Sequence, residues 1–374
     1  MKKCLFSLWT LLALSAAAQP ITTPPSGDNQ PASVTQYMGL ASVTIRYSSP
    51  DVTGPGGEDR RGHIWGELVP WGMQNLGFGT AKLSPWRAGA NENTTITFSH
   101  DVTVEGQPLK AGTYGLHMIP VQSGPWTIIF SHNSTAWGSY FYDPAEDALR
   151  VTVSPVQNTY QEWLTYVFED RHVDHCTASL QWENLKIPFR IKTDYINQYL
   201  ANIRRELQLT TGFSWQGWQT AAQFCLQYKV NLAEAETWAQ YAVNMPFVGE
   251  ENFTTLSTLS QVKAALGKTA EAETLMQQAI SHPTATVLQV HSYGRQLLAQ
   301  GRAAEALAAF ELNARRYPDQ WPVHVGLTRG YAATGDLKKA LKHARLALPA
   351  APDDLNRKSI QDMITKLERG ENIN

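Results

Sequence analysis

Polar and aromatic side chains are densest in the segment from Trp86 to Glu92, which also contains Arg87 and Asn91. Arginine offers a planar fork and tryptophan a stacking face, while Asn and Glu form directional hydrogen bonds. Together these four side chains could bind a carboxylate or a sugar. The structural alternative is a buried pair between Arg87 and Glu92 that fixes the loop leading into the strand at Thr94. Trp86, Arg87, Asn91 and Glu92 are therefore ligand-binding candidates.

His117 is the second residue with potential chemistry. It lies on a predicted strand, opposite Leu116 and Met118, so it points outward near a rim if those two residues are in the core. A histidine there could act as a general base or bind a metal if partners are close; otherwise it is a structural histidine. Glu92 and His117 are the two candidate catalytic residues, and His117 and Trp137 complete the ligand-binding candidates.

One sequence-local cluster contains metal-ligand residue types. His172 and His175, with Asp174 or Cys176, could coordinate zinc, which accepts nitrogen, sulfur and oxygen ligands. The segment also has the composition of a polar turn between two strands, and no second ligand pair follows it. The sequence therefore favours no metal site and no cofactor, with His172, His175 and Cys176 as the residues to check.

Motifs for covalent catalysis or phosphate binding are absent from the sequence. It contains no Gly-x-Ser-x-Gly elbow, no Ser-x-x-Lys, no Gly-x-x-x-x-Gly-Lys and no His-Glu-x-x-His. An enzyme is accordingly the alternative hypothesis: a hydrolase, with or without a metal, that uses Glu92 and His117.

Composition limits the class of protein. The chain has 374 residues, of which 43% are hydrophobic and 17% charged, so two folded domains are expected rather than a disordered chain. The formal net charge is −2, without the excess of positive charge that is typical of nucleic-acid-binding proteins, so no nucleic-acid partner is expected.

The first residues predict export. Lys2 and Lys3 precede an apolar run from Leu5 to Leu14 and a small-residue segment that ends at Ala18. This is the pattern of a secretory signal peptide over residues 1–18, cleaved after Ala18. We expect a periplasmic or extracellular protein with no membrane span after cleavage, and an exposed lead-in over residues 19–33.

Residues 34–192 alternate between apolar and polar side chains in short runs separated by turn residues. Eight to ten antiparallel strands with one apolar face each predict a β-sandwich or a flattened barrel. The segment from Pro50 to Ala90 contains nine glycines and little alternation, which indicates a functional loop or a poorly ordered insertion.

Helical periodicity begins at residue 193. Asp194 is a predicted N-cap for a linking helix within residues 193–211. In residues 212–374, Gly and Ala recur every 34 residues, at Gly267, Gly301 and Gly335 and at Ala272, Ala306 and Ala340. This period resembles that of tetratricopeptide repeats, which are paired helices that typically bind proteins or peptides.

Four motifs carry a resemblance to a known family. They are the segments Pro85–Ile96, Leu109–Pro120, Trp137–Tyr140 and Gly66–Pro70. Over about Pro31 to Lys192 the chain resembles the bacterial domain-of-unknown-function family 2911 (DUF2911), and the region after it resembles the helical half of a long subgroup. The resemblance implies an exported β-sandwich with no established activity, so it assigns no catalytic residue.

The sequence thus predicts an α+β protein with separate domains, an N-terminal antiparallel β-sandwich followed by tetratricopeptide-like helical repeats. The favoured function is that of an exported, non-enzymatic binding or scaffold protein. Its partner is a protein or peptide bound by the repeats, with a small molecule or glycan as a further ligand of the β domain.

Overall fold

The structure is a computed structural model that describes residues 29–374. The predicted signal peptide (1–18) and most of the predicted lead-in (19–33) lie outside the described residues. The remainder of that lead-in is largely exposed, as predicted, but residues 30–33 belong to the first strand, which begins at Gln30 and pairs with Ser49. Over the described range, no helix combines the length and apolarity needed to cross a bilayer.

The chain divides into two compact units, one ending at Tyr199 and the other running from Leu200 to Asn374. The first unit contains ten strands within the described residues: β1 (Gln30–Met38), β2 (Ala41–Ser49), β3 (Thr95–Phe98), β4 (Val102–Val104), β5 (Gln107–Leu109), β6 (Gly112–Ile119), β7 (Trp126–Ser131), β8 (Asp147–Val153), β9 (Val156–Glu169) and β10 (His175–Thr193).

All strand pairs are antiparallel, and they form two sheets. One has the order β1-β2-β3-β6-β7-β8 and the other the order β5-β4-β10-β9. The apolar residues of both sheets form one shared core, as the alternation predicted. The fold class of this region is therefore confirmed.

Two predicted strands, near residues 178–182 and 187–191, are one long strand. β10 continues through both because a bulge at Glu183 shifts its register against β9 without ending it. Glu183 has a positive φ of 52° and is 4% exposed. Its carboxylate accepts a hydrogen bond from the backbone N–H of Gly62, so the bulge also anchors the segment between β2 and β3.

The segment from Pro50 to Ala90, expected to be a functional loop or a poorly ordered insertion, is part of the core. Its Trp65 ring packs edge-on against Trp86, Trp126 and Trp182, with ring centroids 5.8, 5.2 and 5.7 Å away. Trp71 packs against Trp126 at 6.3 Å. Burying these rings stabilises a segment that has almost no regular secondary structure.

The second unit is helical. The division between the units falls within the first α-helix. The ten α-helices of the described chain are α1 (Tyr195–Glu206), α2 (Trp215–Tyr228), α3 (Leu232–Asn244), α4 (Phe253–Ala265), α5 (Thr269–Ser281), α6 (Val287–Ala299), α7 (Ala303–Arg316), α8 (Trp321–Ala333), α9 (Leu337–Ala347) and α10 (Asp354–Glu368).

Helices α4 to α9 form three regular pairs. Their first helices begin at Phe253, Val287 and Trp321, 34 residues apart, which confirms the predicted repeat. The three predicted glycines follow the first helix of each pair with φ between 76° and 85°, a conformation that glycine adopts without strain. The three predicted alanines are at most 5% exposed, so each lets its helix approach a neighbour closely.

Phe310 of α7 fills a hole that only glycine leaves open. A Cβ atom added to Gly294 of α6 would lie 2.4 Å from its ring, and one added to Gly326 of α8 would lie 2.5 Å away. Gly330 of α8 approaches the same ring. Because Phe310 is 1% exposed, its ring has little room to move aside.

We expect Gly294→Ala to lower the free energy of unfolding, although alanine favours helix. Overpacking a core typically costs about 1–3 kcal/mol, which exceeds the gain in helix propensity of about 1 kcal/mol over most of that range. Urea unfolding followed by circular dichroism measures the change. Ser292→Ala, at an exposed position of the same helix, is the control.

The double variant Gly294→Ala with Phe310→Leu should lose less stability than the sum of the two single variants, since the smaller side chain leaves room for the new methyl group. Additive losses, or a Gly294→Ala variant as stable as the unchanged protein, would contradict this packing.

Candidate functional site

His117 is buried, in contrast to the prediction that it points outward near a rim. It does lie on the face of β6 opposite Leu116 and Met118, but it is only 2% exposed. The reason is that the segment after β7 folds back over this face. His117 Nδ1 lies 3.0 Å from the hydroxyl oxygen of Ser139, and its ring meets the edge of the Tyr142 ring at 5.7 Å.

Burial lowers the pKa of His117 to about 4, and the nearby positive charge of Arg87 contributes in the same direction. The imidazole is therefore neutral at neutral pH. Its one hydrogen-bond partner among the described residues is a hydroxyl rather than a carboxylate. This environment suits a structural histidine better than a general base.

Arg87 is held by the same covering segment. Its Nη1 donates a hydrogen bond to the carbonyl of Asn91, 3.0 Å away, and its guanidinium lies 5.8 Å from the centre of the Tyr140 ring. Gly138 has a φ of 55°, and a Cβ atom there would lie 2.7 Å from Arg87 Nη1. The polar motif and the Trp137–Tyr140 motif thus pack against each other.

The alternative of a buried pair between Arg87 and Glu92 is also wrong, since residues 29–374 contain no ion pair between them. Glu92 is exposed, and its Oε2 accepts a hydrogen bond from the hydroxyl of Ser48 at 3.0 Å. It lines an open depression of about 390 Å³ together with Arg46 and Ser48, and His117 is not part of that lining. Glu92 is thus exposed while His117 is buried, and the two candidate catalytic residues do not line this depression together.

The remaining ligand-binding candidates differ in accessibility. Trp86 is partly buried and packs against the core: its ring stacks on Trp182 at 6.4 Å, and its backbone forms two hydrogen bonds with Met118. Asn91 has a positive φ of 54°, and its side chain accepts a hydrogen bond from Asn29. Trp137 is 55% exposed. Trp86 and Asn91 are therefore held by contacts within the β unit, whereas the Trp137 ring is exposed.

The predicted metal residues are brought together only in part. His172 and His175 stack with ring centroids 4.4 Å apart, and the third ligand-type side chain facing them is Asp170. Cys176, by contrast, is fully buried in the core, and burial raises the pKa of its thiol to about 12. The reason is strand alternation, because β10 begins at His175 and the next side chain points to the opposite face.

The sequence predicts that the repeats bind a partner but identifies no residues for it. The structure has a groove between α4 and α6, the first helices of two successive repeats. α2 packs on α4 and α6 packs on α8, whereas α4 and α6 approach each other less closely. A cavity of about 300 Å³ opens between them. Its lining combines apolar side chains with amides and hydroxyls: Phe253, Ser257, Gln261, Met276, Leu288, Gln289, Ser292, Tyr293 and Gln296.

The groove residues have the spacing of single helix faces. Ser257 and Gln261 are four residues apart on α4, as are Ser292 and Gln296 on α6. None of the lining side chains carries a charge, and Leu288 is 59% exposed. Aligning the chain on its 34-residue period could have identified these faces, because the repeat places the two helix starts in register.

His117 yields a test of the buried network. Its pKa is about 4 in the folded protein, against the ordinary histidine value of 6.5 in the unfolded chain, so the unfolded protein binds the proton more tightly. The contribution of neutral, buried His117 to the free energy of unfolding is therefore complete above pH 6.5 and is lost as the pH falls toward about 4. A difference of this size corresponds to on the order of 3 kcal/mol.

As the pH falls from 6.5 toward about 4, the unchanged protein should lose about 3 kcal/mol of unfolding free energy relative to the His117→Asn variant. Asparagine does not titrate, and it keeps an acceptor for Ser139. Urea unfolding of both proteins at several pH values measures the difference, in which the other titrating groups cancel. A difference independent of pH would show that the pKa of His117 is the same in the folded and unfolded protein, and would contradict the shift caused by burial.

Solved structures similar to this chain include two described as TPR proteins and one of MamA. YrrB, described as a TPR protein with an unusual peptide-binding site, is 20% identical, with 45% of this chain and 84% of that chain covered and a TM-score of 0.31. TTC0263, a TPR protein from Thermus thermophilus, is 17% identical (46% and 91% covered, TM-score 0.30), and MamA from Desulfovibrio magneticus RS-1 is 16% identical (41% and 93% covered, TM-score 0.29).

A search of curated proteins gives no match. A family model does match the β unit, and its description is 'protein of unknown function (DUF2911)'. The match covers residues 29–191, from just before β1 into β10. This match over residues 29–191 confirms the resemblance carried by the sequence motifs.

Proposed function

We propose that this protein is an exported, non-enzymatic binding protein that holds a peptide segment of a partner protein in the groove between α4 and α6. The groove is the observation that carries the proposal. It is open, uncharged and lined by helix faces that no other part of the described chain covers. Paired-helix repeats characteristically bind partners on such surfaces.

The chemistry of the lining fits an extended, uncharged peptide. Gln261, Gln296 and Ser292 are exposed and can exchange hydrogen bonds with a peptide backbone, which has one donor and one acceptor at most residues. Leu288 and Tyr293 offer apolar surface to alternate side chains of the peptide. The affinity would come mainly from the buried apolar contacts, and the amides would fix the register.

A small molecule or glycan is not part of this proposal. That hypothesis depended on Trp86 as a stacking face and Arg87 as a free fork. Trp86 packs against the core and stacks on Trp182, and Arg87 donates a hydrogen bond to the carbonyl of Asn91 and lies close to Gly138.

Peptide binding can be tested with a random peptide library displayed on phage and selected against the full chain. Peptides that bind should lose affinity about tenfold or more on Leu288→Ala or Gln296→Ala, because each removes a contact inside the groove. Fluorescence anisotropy with labelled peptides measures the dissociation constants.

The matched controls are Leu346→Ala and Gln278→Ala. Both residues are exposed on second helices of repeats and lie outside the groove lining. They should leave the affinity unchanged. Equal losses in the controls, or selected peptides that bind the groove variants as tightly as the unchanged protein, would refute the assignment of the groove.

Export is a second testable part of the proposal. It is supported by the positive, apolar and small-residue segments that end at Ala18. Expression of the full chain in a Gram-negative host should give a periplasmic protein whose intact mass corresponds to a start at Gln19. A variant with Leu11→Arg and Leu12→Arg should stay unprocessed in the cytoplasm, because the charges interrupt the apolar run. Full-length, cytoplasmic protein in both cases would contradict export.

A further inference from the structure

We propose that Asp170, His172 and His175 form a binding site for one divalent transition-metal ion of the zinc type. Asp170 and His172 lie in the turn that joins β9 to β10, and His175 is the first residue of β10. The site is in the β unit, shares no residue with the polar motif at Arg87, and is independent of peptide binding by the repeats.

The spacing of the ligand atoms fits such an ion. Asp170 Oδ1 lies 3.2 Å from His172 Nε2, and Asp170 Oδ2 lies 3.6 Å from His175 Nε2. One ligand atom from each of the three residues lies within 4.8 Å of the other two. In a tetrahedral zinc site with bonds of about 2.0–2.1 Å, neighbouring ligand atoms are about 3.3 Å apart. Small side-chain rotations would therefore bring all three atoms into coordination distance.

The turn holds the two rings on the same side. Asp170 has a positive φ of 46°, and the backbone N–H of His172 donates a hydrogen bond to the carbonyl of His175 at 2.8 Å. The imidazoles are nearly parallel, with an angle of 18° between their planes. Because both ends of the turn continue into long paired strands, little chain entropy remains to be lost when an ion binds.

A fourth residue orients one of the ligands. Asp174 Oδ1 lies 2.6 Å from His175 Nδ1, and Lys192 Nζ lies 3.6 Å from the other carboxylate oxygen of Asp174. A hydrogen bond from Nδ1 to this carboxylate leaves the lone pair of His175 on Nε2, the atom that faces Asp170. Metal-ligating histidines almost always have such a partner, which also increases the basicity of the ring.

The donor set defines the class of ion. Two imidazole nitrogens and one carboxylate suit zinc and its neighbours in the first transition series, whereas calcium and magnesium prefer oxygen ligands alone. Cys176 cannot contribute, because its thiol is buried on the other face of β10. Three protein ligands leave at least one coordination position for water or for a group from a bound partner.

The test uses the full chain without a polyhistidine tag, treated with a chelator and then titrated with Zn²⁺ by calorimetry and with Co²⁺ by absorption spectroscopy. We expect one equivalent to bind, with visible Co²⁺ bands of a site with low coordination number and without a thiolate charge-transfer band. His172→Ala should abolish this binding, and its imidazole is exposed enough for the variant to fold.

Asp174→Asn should weaken binding about 10- to 100-fold while the stoichiometry stays at one, as expected for the loss of an orienting carboxylate. His63→Ala is the matched control, since His63 is an exposed histidine beside Glu67 and lies outside the cluster. It should bind like the unchanged protein. Absence of binding, or binding that survives His172→Ala, would overturn the proposal.

Discussion

The β unit depends on a cluster of tryptophans between its sheets. Trp126 and Trp182 come from strands of opposite sheets, while Trp65, Trp71 and Trp86 come from the irregular segment between β2 and β3. Edge-to-face contacts among these rings add about 0.5–1.5 kcal/mol each to their burial. Without the cluster, a segment rich in glycine and poor in secondary structure would have little reason to be ordered.

This packing explains why the most chemistry-like motif serves structure. Trp86 packs against the core, and its backbone is hydrogen-bonded to that of Met118. The chain then turns through Ala88 and Asn91, both of which have positive φ. Arg87 is then placed beneath Tyr140, and the same covering segment closes over His117. Polar residue types that could bind a ligand therefore bind each other.

Close packing also determines which side chains remain available in the repeats. Their helices approach closely because alanine and glycine stand at the crossing points, as around Phe310. Where such close packing lapses, between α4 and α6, polar and apolar side chains remain available to a partner. Function in this unit is thus expected where the regular packing is interrupted.

Local periodicity made much of the fold predictable. Alternation identified most strands because each sheet has one apolar face, and the 34-residue spacing identified the helix pairs. The burial of His117 could not be predicted, since it depends on a segment that returns from beyond β7. The bulge at Glu183 and the proximity of Asp170 to His172 could not be predicted either. Both depend on local backbone geometry in a bulge or a turn, which residue type encodes only weakly.

We propose that recognition takes place in the repeat groove and that the polar motif of the β unit is structural. Hydrogen–deuterium exchange of the full chain, with and without a selected peptide, distinguishes the two regions. We expect slower exchange in α4 and α6 and unchanged exchange over residues 84–93 and 131–142. Protection confined to those two β-unit segments, with α4 and α6 unaffected, would contradict it.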